Sequence, residues 1–301
     1  MLKLDFVCPL YRADGYIDPL LDALRAQEEI EIASGVFAIT DTGEDLSYVT
    51  GKITEAGYTY FTLPPEEFSH SLTRARALED YCTSDLVVMM SQDIVITSPT
   101  TLYDLAKRVE GRVVFAYGRQ TVGRNSIEKY IRNKNYGETS FTVGKEDVER
   151  LQLGAFFASD AFSCYHRPTY LALGGYDGIP MMMNEDMYYA KKVIDAGYLK
   201  AYVAEASVEH SHRYKLRQLY RRYYETGVWF VEHPEFGTYS TTDSGVKLAL
   251  SVLGQALRHF NIPVLFRLLP DMAARYLGLR AGKRAARRKK AQESSCQAPR
   301  T

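Results

Sequence analysis

The feature that most limits what this chain can fold into is a strand–helix alternation across its first half. Residues 4–8, 32–40, 58–63 and 85–90 are short apolar runs rich in β-formers. Between them, residues 15–27, 47–56 and 72–82 carry helical periodicity, with Ile17, Leu20, Leu21 and Leu24 spaced to share one face. Such an alternation predicts a mainly parallel sheet flanked by helices, a Rossmann-like α/β fold. A helix over 102–109 and a strand over 113–117 extend it.

The second half reads differently. Residues 118–150 are polar and charged, and are expected to form either a partly helical loop beside the site or a surface insertion. Residues 162–166 read as a strand, Arg167-Pro168-Thr169 opens a helix to Leu173, and Gly174-Gly175 permits a sharp turn. Asn184 is expected to cap a helix over 185–196 that stops at Gly197, and 200–203 is one more strand. The main domain is expected to span 1–240, with 241–301 forming an amphipathic helical region and a basic tail.

Composition narrows the function classes. Lys plus Arg equals Asp plus Glu, so the net charge is zero, which argues against a protein that coats nucleic acid. The zero conceals seven Lys or Arg residues and no acid between Arg280 and Lys290, after a largely apolar stretch. That pairing suits an anionic membrane surface, the inner face of the plasma membrane; a packed helical pair with a solvated basic tail is the alternative. The chain has 23 Tyr against one Trp; most of these tyrosines are expected to be packed on sheets and helices, with a few suited to sugar or base contacts. Cys8, Cys82, Cys164 and Cys296 form no CxxC pair, which points to a reducing compartment. No signal-peptide pattern and no long apolar span is visible, so a cytoplasmic, peripheral location is expected.

Three acidic or histidine clusters carry the chemistry. Asp93 follows the apolar 85–90 run, at a strand's carboxyl end, where open α/β sheets bind ligands; it suits a Mg²⁺ or Mn²⁺ ion held against a diphosphate. Glu185 and Asp186 open a helix, about 100° apart around its axis, so only one faces a site; either could be a general base. His210 and His212, two apart on an extended segment, share a face, and one of them could complete the metal site. Arg74 lies at a helix start that favours phosphate, and Asp41 ends a strand where a base or ribose could bind.

Taken in order, these residues resemble a family. From Leu4 to about Tyr224 the chain is similar to the family 2 inverting glycosyltransferases of GT-A fold, in the bacterial rhamnosyltransferase-like branch. The resemblance rests on Cys8-Pro9-Leu10-Tyr11, Thr40-Asp41-Thr42-Gly43, Phe68-Ser69-His70 with Thr73-Arg74, Ser91-Gln92-Asp93, Gly174-Gly175-Tyr176-Asp177, Asn184-Glu185-Asp186, and His210-Ser211-His212 followed by Tyr214. Ser69 and Ala75 stand where that branch has Asn, and Ser91 replaces the first Asp of its metal motif. The resemblance implies donor contacts from Pro9, Tyr11, Asp41, Arg74, Gln92 and Asp93, with metal ligation by Asp93 and His210 or His212. It also implies a base at Asp186, with Glu185 as alternative, and acceptor contacts from Gly175, Tyr176 and Asp177. The implied reaction moves a sugar, L-rhamnose from dTDP-rhamnose, onto a polyprenyl-linked or growing cell-surface polysaccharide. Another nucleotide sugar such as a UDP-hexose, or a non-catalytic scaffold that binds one, is the alternative.

Overall fold

The computed structural model describes residues 1–239 and 242–297. The chain divides into two compact units: Met1–Gly123 with Asn135–Ser211, and Arg124–Lys134 with the chain from His212 onward.

The first unit opens with the expected alternation: β1 (Leu2–Leu10), α1 (Ile17–Arg25), β2 (Ile30–Thr40), α2 (Ser47–Glu55), β3 (Thr59–Leu63), α3 (His70–Tyr81) and β4 (Leu86–Met90). Ile17, Leu20, Leu21 and Leu24 are the residues α1 buries, and all five residues of β4 are buried, as a strand covered on both faces requires. Strands β3, β2, β1 and β4 lie side by side and parallel. Their carboxyl ends therefore reach one edge together. A buried carboxylate fixes this register: Asp5 in β1 accepts from the Thr83 and Ser84 amides at 2.6 and 2.8 Å and from the Ser84 hydroxyl at 2.8 Å. These bonds satisfy an ion that would otherwise be costly to bury and hold the entry to β4.

Beyond β4 come β5 (Val95–Ile96), α4 (Thr101–Ala106), β6 (Val113–Thr121), α5 (Ile127–Asn135), β7 (Phe141–Val143), α6 (Val148–Leu151), β8 (Phe162–His166), α7 (Arg167–Ala172), α8 (Glu185–Asp195) and β9 (Leu199–Glu209). The polar 118–150 stretch is thus more ordered than its composition suggests. It holds the end of β6, a helix, and β7, which pairs with β9. Strand β8 enters antiparallel between β4 and β6, and β9 continues parallel to β6. Asn184 does sit at the start of α8, but in the left-handed region (φ 60°) and without a side-chain cap bond. The first turn of the helix instead carries two acidic residues, Glu185 and Asp186. The aromatic surplus goes inward: Tyr117, Tyr165, Tyr170, Tyr176, Tyr189 and Tyr202 are among the largest fully buried side chains.

The second unit is helical: most of α5, then α9 (Leu216–Glu232), α10 (Thr242–Arg258) and α11 (Ile262–Gln297). Helices α9 and α11 approach so closely that side chains are excluded at the crossing. A Cβ on Gly227 would lie 2.3 Å from the Leu279 carbonyl oxygen, and one on Gly278 2.4 Å from that of Tyr220. One on Gly282 would lie closer still to the Tyr224 oxygen. Tyr130 and Ile131 of α5 pack with Val252, Ala256 and Val264, and Asn261 ties the α10–α11 turn to Asn125 and to the Tyr130 hydroxyl at 2.9 and 3.1 Å. The basic run 280–290 is part of α11 itself. Among the described residues, no helix is long and apolar enough to cross a membrane.

Candidate active site

Because β1, β2 and β4 run parallel, Tyr11, Asp41, Gln92 and Asp93 all leave the sheet at the same edge. Gln92 bonds reciprocally to the Tyr11 main chain, accepting from its amide at 2.7 Å and donating to its carbonyl at 2.8 Å. The side chain thereby ties the segment after β1 to the segment after β4, and the Tyr11 ring stays half exposed beside it. Pro9 lies in β1 just before this clamp. Asp41 is exposed and folds its own turn, accepting from the Gly43 amide at 2.8 Å.

Strand register brings Asp93 to the histidine segment. Val95 of β5 pairs with Glu209 of β9, and just beyond the end of that ladder His210 Nε2 lies 3.3 Å from a carboxylate oxygen of Asp93. Behind the ring, His210 Nδ1 meets Gln120 Oε1 at 2.9 Å, while Gln120 Nε2 donates to the Ser159 hydroxyl at 2.7 Å. Gln120 thus fixes the ring so that Nε2 faces Asp93. An imidazole nitrogen facing a carboxylate calls for a positive centre between them, either a proton or a metal ion. The 3.3 Å separation is near the ~3 Å between adjacent ligands of a six-coordinate ion with ~2.1 Å bonds, and an oxygen–imidazole set suits Mn²⁺ or Mg²⁺. Asp93 and His210 are therefore a fitting carboxylate–imidazole pair for such an ion. His212 opens the second unit, where Glu128 accepts from its amide at 2.9 and 3.0 Å and Arg124 donates to its carbonyl at 3.2 Å.

The second cluster forms where α3 meets the start of α8. Ser69 caps α3, accepting from the Leu72 amide at 3.1 Å; Ser and Asn are comparable caps, so the helix start survives this departure from the family pattern. Arg74, one turn in, is buried and pairs with Glu185 at 2.9 Å. It also meets His70 Nδ1 at 3.0 Å, the His70 carbonyl at 3.4 Å and the Asp160 carbonyl at 3.5 Å. Arg74 thus belongs to the acidic cluster. Asp186 accepts from the Met187 amide at 2.7 Å and the Asp160 amide at 3.3 Å. Burial, reinforced by the charges of Glu185 and Asp160, pushes its carboxyl well above the usual carboxylate range. Glu185 and Asp186 thus diverge as the helical repeat requires: one pairs with Arg74, the other is held by main-chain amides.

Residues absent from the sequence-based site organise it. The Asp160 carboxylate is buried and receives the hydroxyls of Ser163, Tyr165 and Tyr176 at 2.7, 2.7 and 3.1 Å. Its main chain holds both Asp186 and Arg74, while neighbouring Ser159 holds Gln120 and through it His210. One dipeptide therefore joins the cation side to the acid side. Lys200 in β9 is fully buried and donates to the Ala155 and Phe157 carbonyls at 2.6 and 2.5 Å. Burial lowers its ammonium to about 7, against an opposing pull from Asp186. Asp160 and Lys200 left only a weak trace in the sequence, polar residues at the mouth or interior of apolar strands. Gln120 and Glu128 left none. The turn Gly175-Tyr176-Asp177 packs beneath: Tyr176 is buried, a Cβ on Gly175 would strike the Tyr170 ring at 2.6 Å, and Asp177 pairs with Lys192 at 2.6 Å.

No protein-family model matches the chain. It is 35% identical over 230 residues to the O-antigen chain rhamnosyltransferase WbaN of Salmonella anatum, covering 73% of this chain and 71% of that protein. The O-antigen chain rhamnosyltransferase RfbN of Salmonella typhimurium is 29% identical over 291 residues, covering 94% and 90%. Among solved structures, the mannosyltransferase of Pyrobaculum calidifontis in complex with GDP-Man and Mn²⁺ aligns with a TM-score of 0.57 at 14% identity, over 96% of this chain and 87% of that one. Staphylococcus aureus TarS in complex with UDP-GlcNAc gives 0.55 at 15%, over 97% and 92%. These are glycosyltransferases of GT-A fold, and with the strand-end carboxylate and the acid pair placed as described, the chain belongs to the O-antigen chain rhamnosyltransferases.

Proposed function

We propose that this glycosyltransferase moves L-rhamnose from dTDP-rhamnose to a hydroxyl of a polyprenyl-linked glycan, with inversion at the sugar carbon. The observation that carries the proposal is the separation of roles between Glu185 and Asp186. A general base must not be tied to a cation that holds its charge. Glu185 is bound to Arg74, whereas Asp186 is held by the Met187 and Asp160 amides, and burial raises its proton affinity. In the proposed step the acceptor oxygen forms a bond to the anomeric carbon, its proton passes to Asp186, and the bond from that carbon to the diphosphate oxygen breaks, releasing dTDP. Pro9, Tyr11 and Asp41 line the donor nucleoside, with Gln92 holding Tyr11 in place, and Arg74 fixes the acids from behind. Gly175, Tyr176 and Asp177 shape the acceptor side.

Asp93 and His210 would hold a Mn²⁺ or Mg²⁺ ion, which when bound would offset the charge of the diphosphate. Residues 1–240 are the proposed transferase region and 241–301 the extension through which the protein meets the inner face of the plasma membrane, where its acceptor resides. Replacing Asp186 with Asn tests the reading. Turnover is expected to fall roughly 10²–10⁴-fold with donor affinity, measured by titration calorimetry, nearly unchanged. Turnover close to that of the parent enzyme would remove Asp186 from the mechanism and return the role to Glu185.

A further inference from the structure

Helix α11 has two faces that the chain uses for opposite purposes. Successive residues turn by about 100°, so Val264, Asp271, Gly278, Gly282 and Ala286 fall on one side, and all of them are buried. On the opposite side come Ile262, Phe266 and Leu269, then Tyr276, and further along Arg280, Arg284 and Arg287, all exposed. One ridge thus changes from apolar to cationic along a single helix. Phe266 and Leu269 are 80% and 77% exposed, and Phe260, in the turn before the helix, 88%. Helix α10 repeats the arrangement, with Leu250 and Leu257 exposed on one side and Val252 and Ala256 buried on another.

We infer that this ridge is a docking surface for an anionic lipid monolayer: Leu250, Leu257, Phe260, Ile262, Phe266 and Leu269 enter the interfacial region while Arg280, Arg284 and Arg287 meet lipid phosphates. The inference gives a surface and a binding mode to the membrane contact proposed above, and rests on that reading. Two observations select the occupant. The apolar residues continue directly into a cationic row, the complement of a headgroup layer lying over acyl chains. No described helix can cross a membrane, so an in-plane helix pair is the geometry left. A second copy of the chain would match the apolar part but would place like charges along the cationic part.

The test uses the full chain with vesicles of phosphatidylcholine alone or mixed with phosphatidylglycerol. Binding by co-sedimentation is expected only with the anionic vesicles. The triple variant R280E/R284E/R287E is expected to lose that binding at low salt. F260S/F266S/L269S is expected to weaken it by at least about tenfold and to abolish the part that survives high salt. All substituted residues are exposed, so both variants should keep the parent's circular dichroism and its thermal shift with nucleoside diphosphate. That second readout separates failure of this inference from failure of the transferase reading. Equal binding to neutral vesicles, no binding, or unchanged binding by both variants would overturn the inference. So would a concentration-dependent dimer that the Phe260 variant dissolves, or binding to an oligonucleotide in place of vesicles.

Discussion

Lys200 sends a cation into the interior of the first unit with two main-chain carbonyls, and no carboxylate, as its hydrogen-bond partners. Its ammonium is held near 7 when folded and close to 10.4 when unfolded. Between these values the unfolded chain binds the extra proton, so the stability Lys200 contributes rises with pH through that window, by at most about 1.4 kcal/mol per unit. Chemical denaturation of the parent and of Lys200→Met at pH 7 and pH 9.5 should therefore show the parent gaining on the variant at the higher pH. A constant difference would mean that Lys200 is charged in both states throughout. The same side chain shows how far residues can be read in advance. Asp93 and Asp186 stand at strand and helix ends, where a pattern of apolar runs announces them. Lys200 and Asp160 lie within or against such runs, and only the bonds they make in three dimensions distinguish them from residues facing solvent.

At the scale of elements, the crossing of α9 and α11 depends on absent side chains. Glycine inside a helix costs about 1 kcal/mol relative to alanine, so Gly227, Gly278 and Gly282 weaken their helices unless close approach repays it. Gly282→Val is expected to destabilise the second unit by about 3 kcal/mol, since its Cβ would overlap the Tyr224 carbonyl and the helices would have to part. Thermal unfolding followed by circular dichroism measures this, and an unchanged or higher melting temperature would mean that the crossing is loosely packed. The parallel start of the sheet was legible because each strand is an apolar run bounded by turn signals. The antiparallel insertion of β8 was not, because strand direction depends on partners that lie far along the chain. The length of α11 was also hidden. A cluster of cations reads as a solvated tail until the small residues on its other side are seen to pack.

For the whole molecule, ligand-linked stability reads out the donor directly. Binding at 100 times the dissociation constant adds about 2.7 kcal/mol. A melting-temperature rise with dTDP and dTDP-rhamnose that grows with Mn²⁺ is expected. A rise confined to UDP species would keep the acids and the fold but reassign the sugar, and a rise indifferent to Mn²⁺ would leave Asp93 and His210 as a proton-sharing pair. The packed and exposed faces of α11 also have different freedom to change over evolutionary time. The glycine face tolerates almost no substitution, because any side chain meets backbone. The opposite ridge touches no neighbour that must be matched, so its residues can drift in identity while keeping their character. A lineage can thus retune this ridge to a new surface without disturbing the helix pair that carries it.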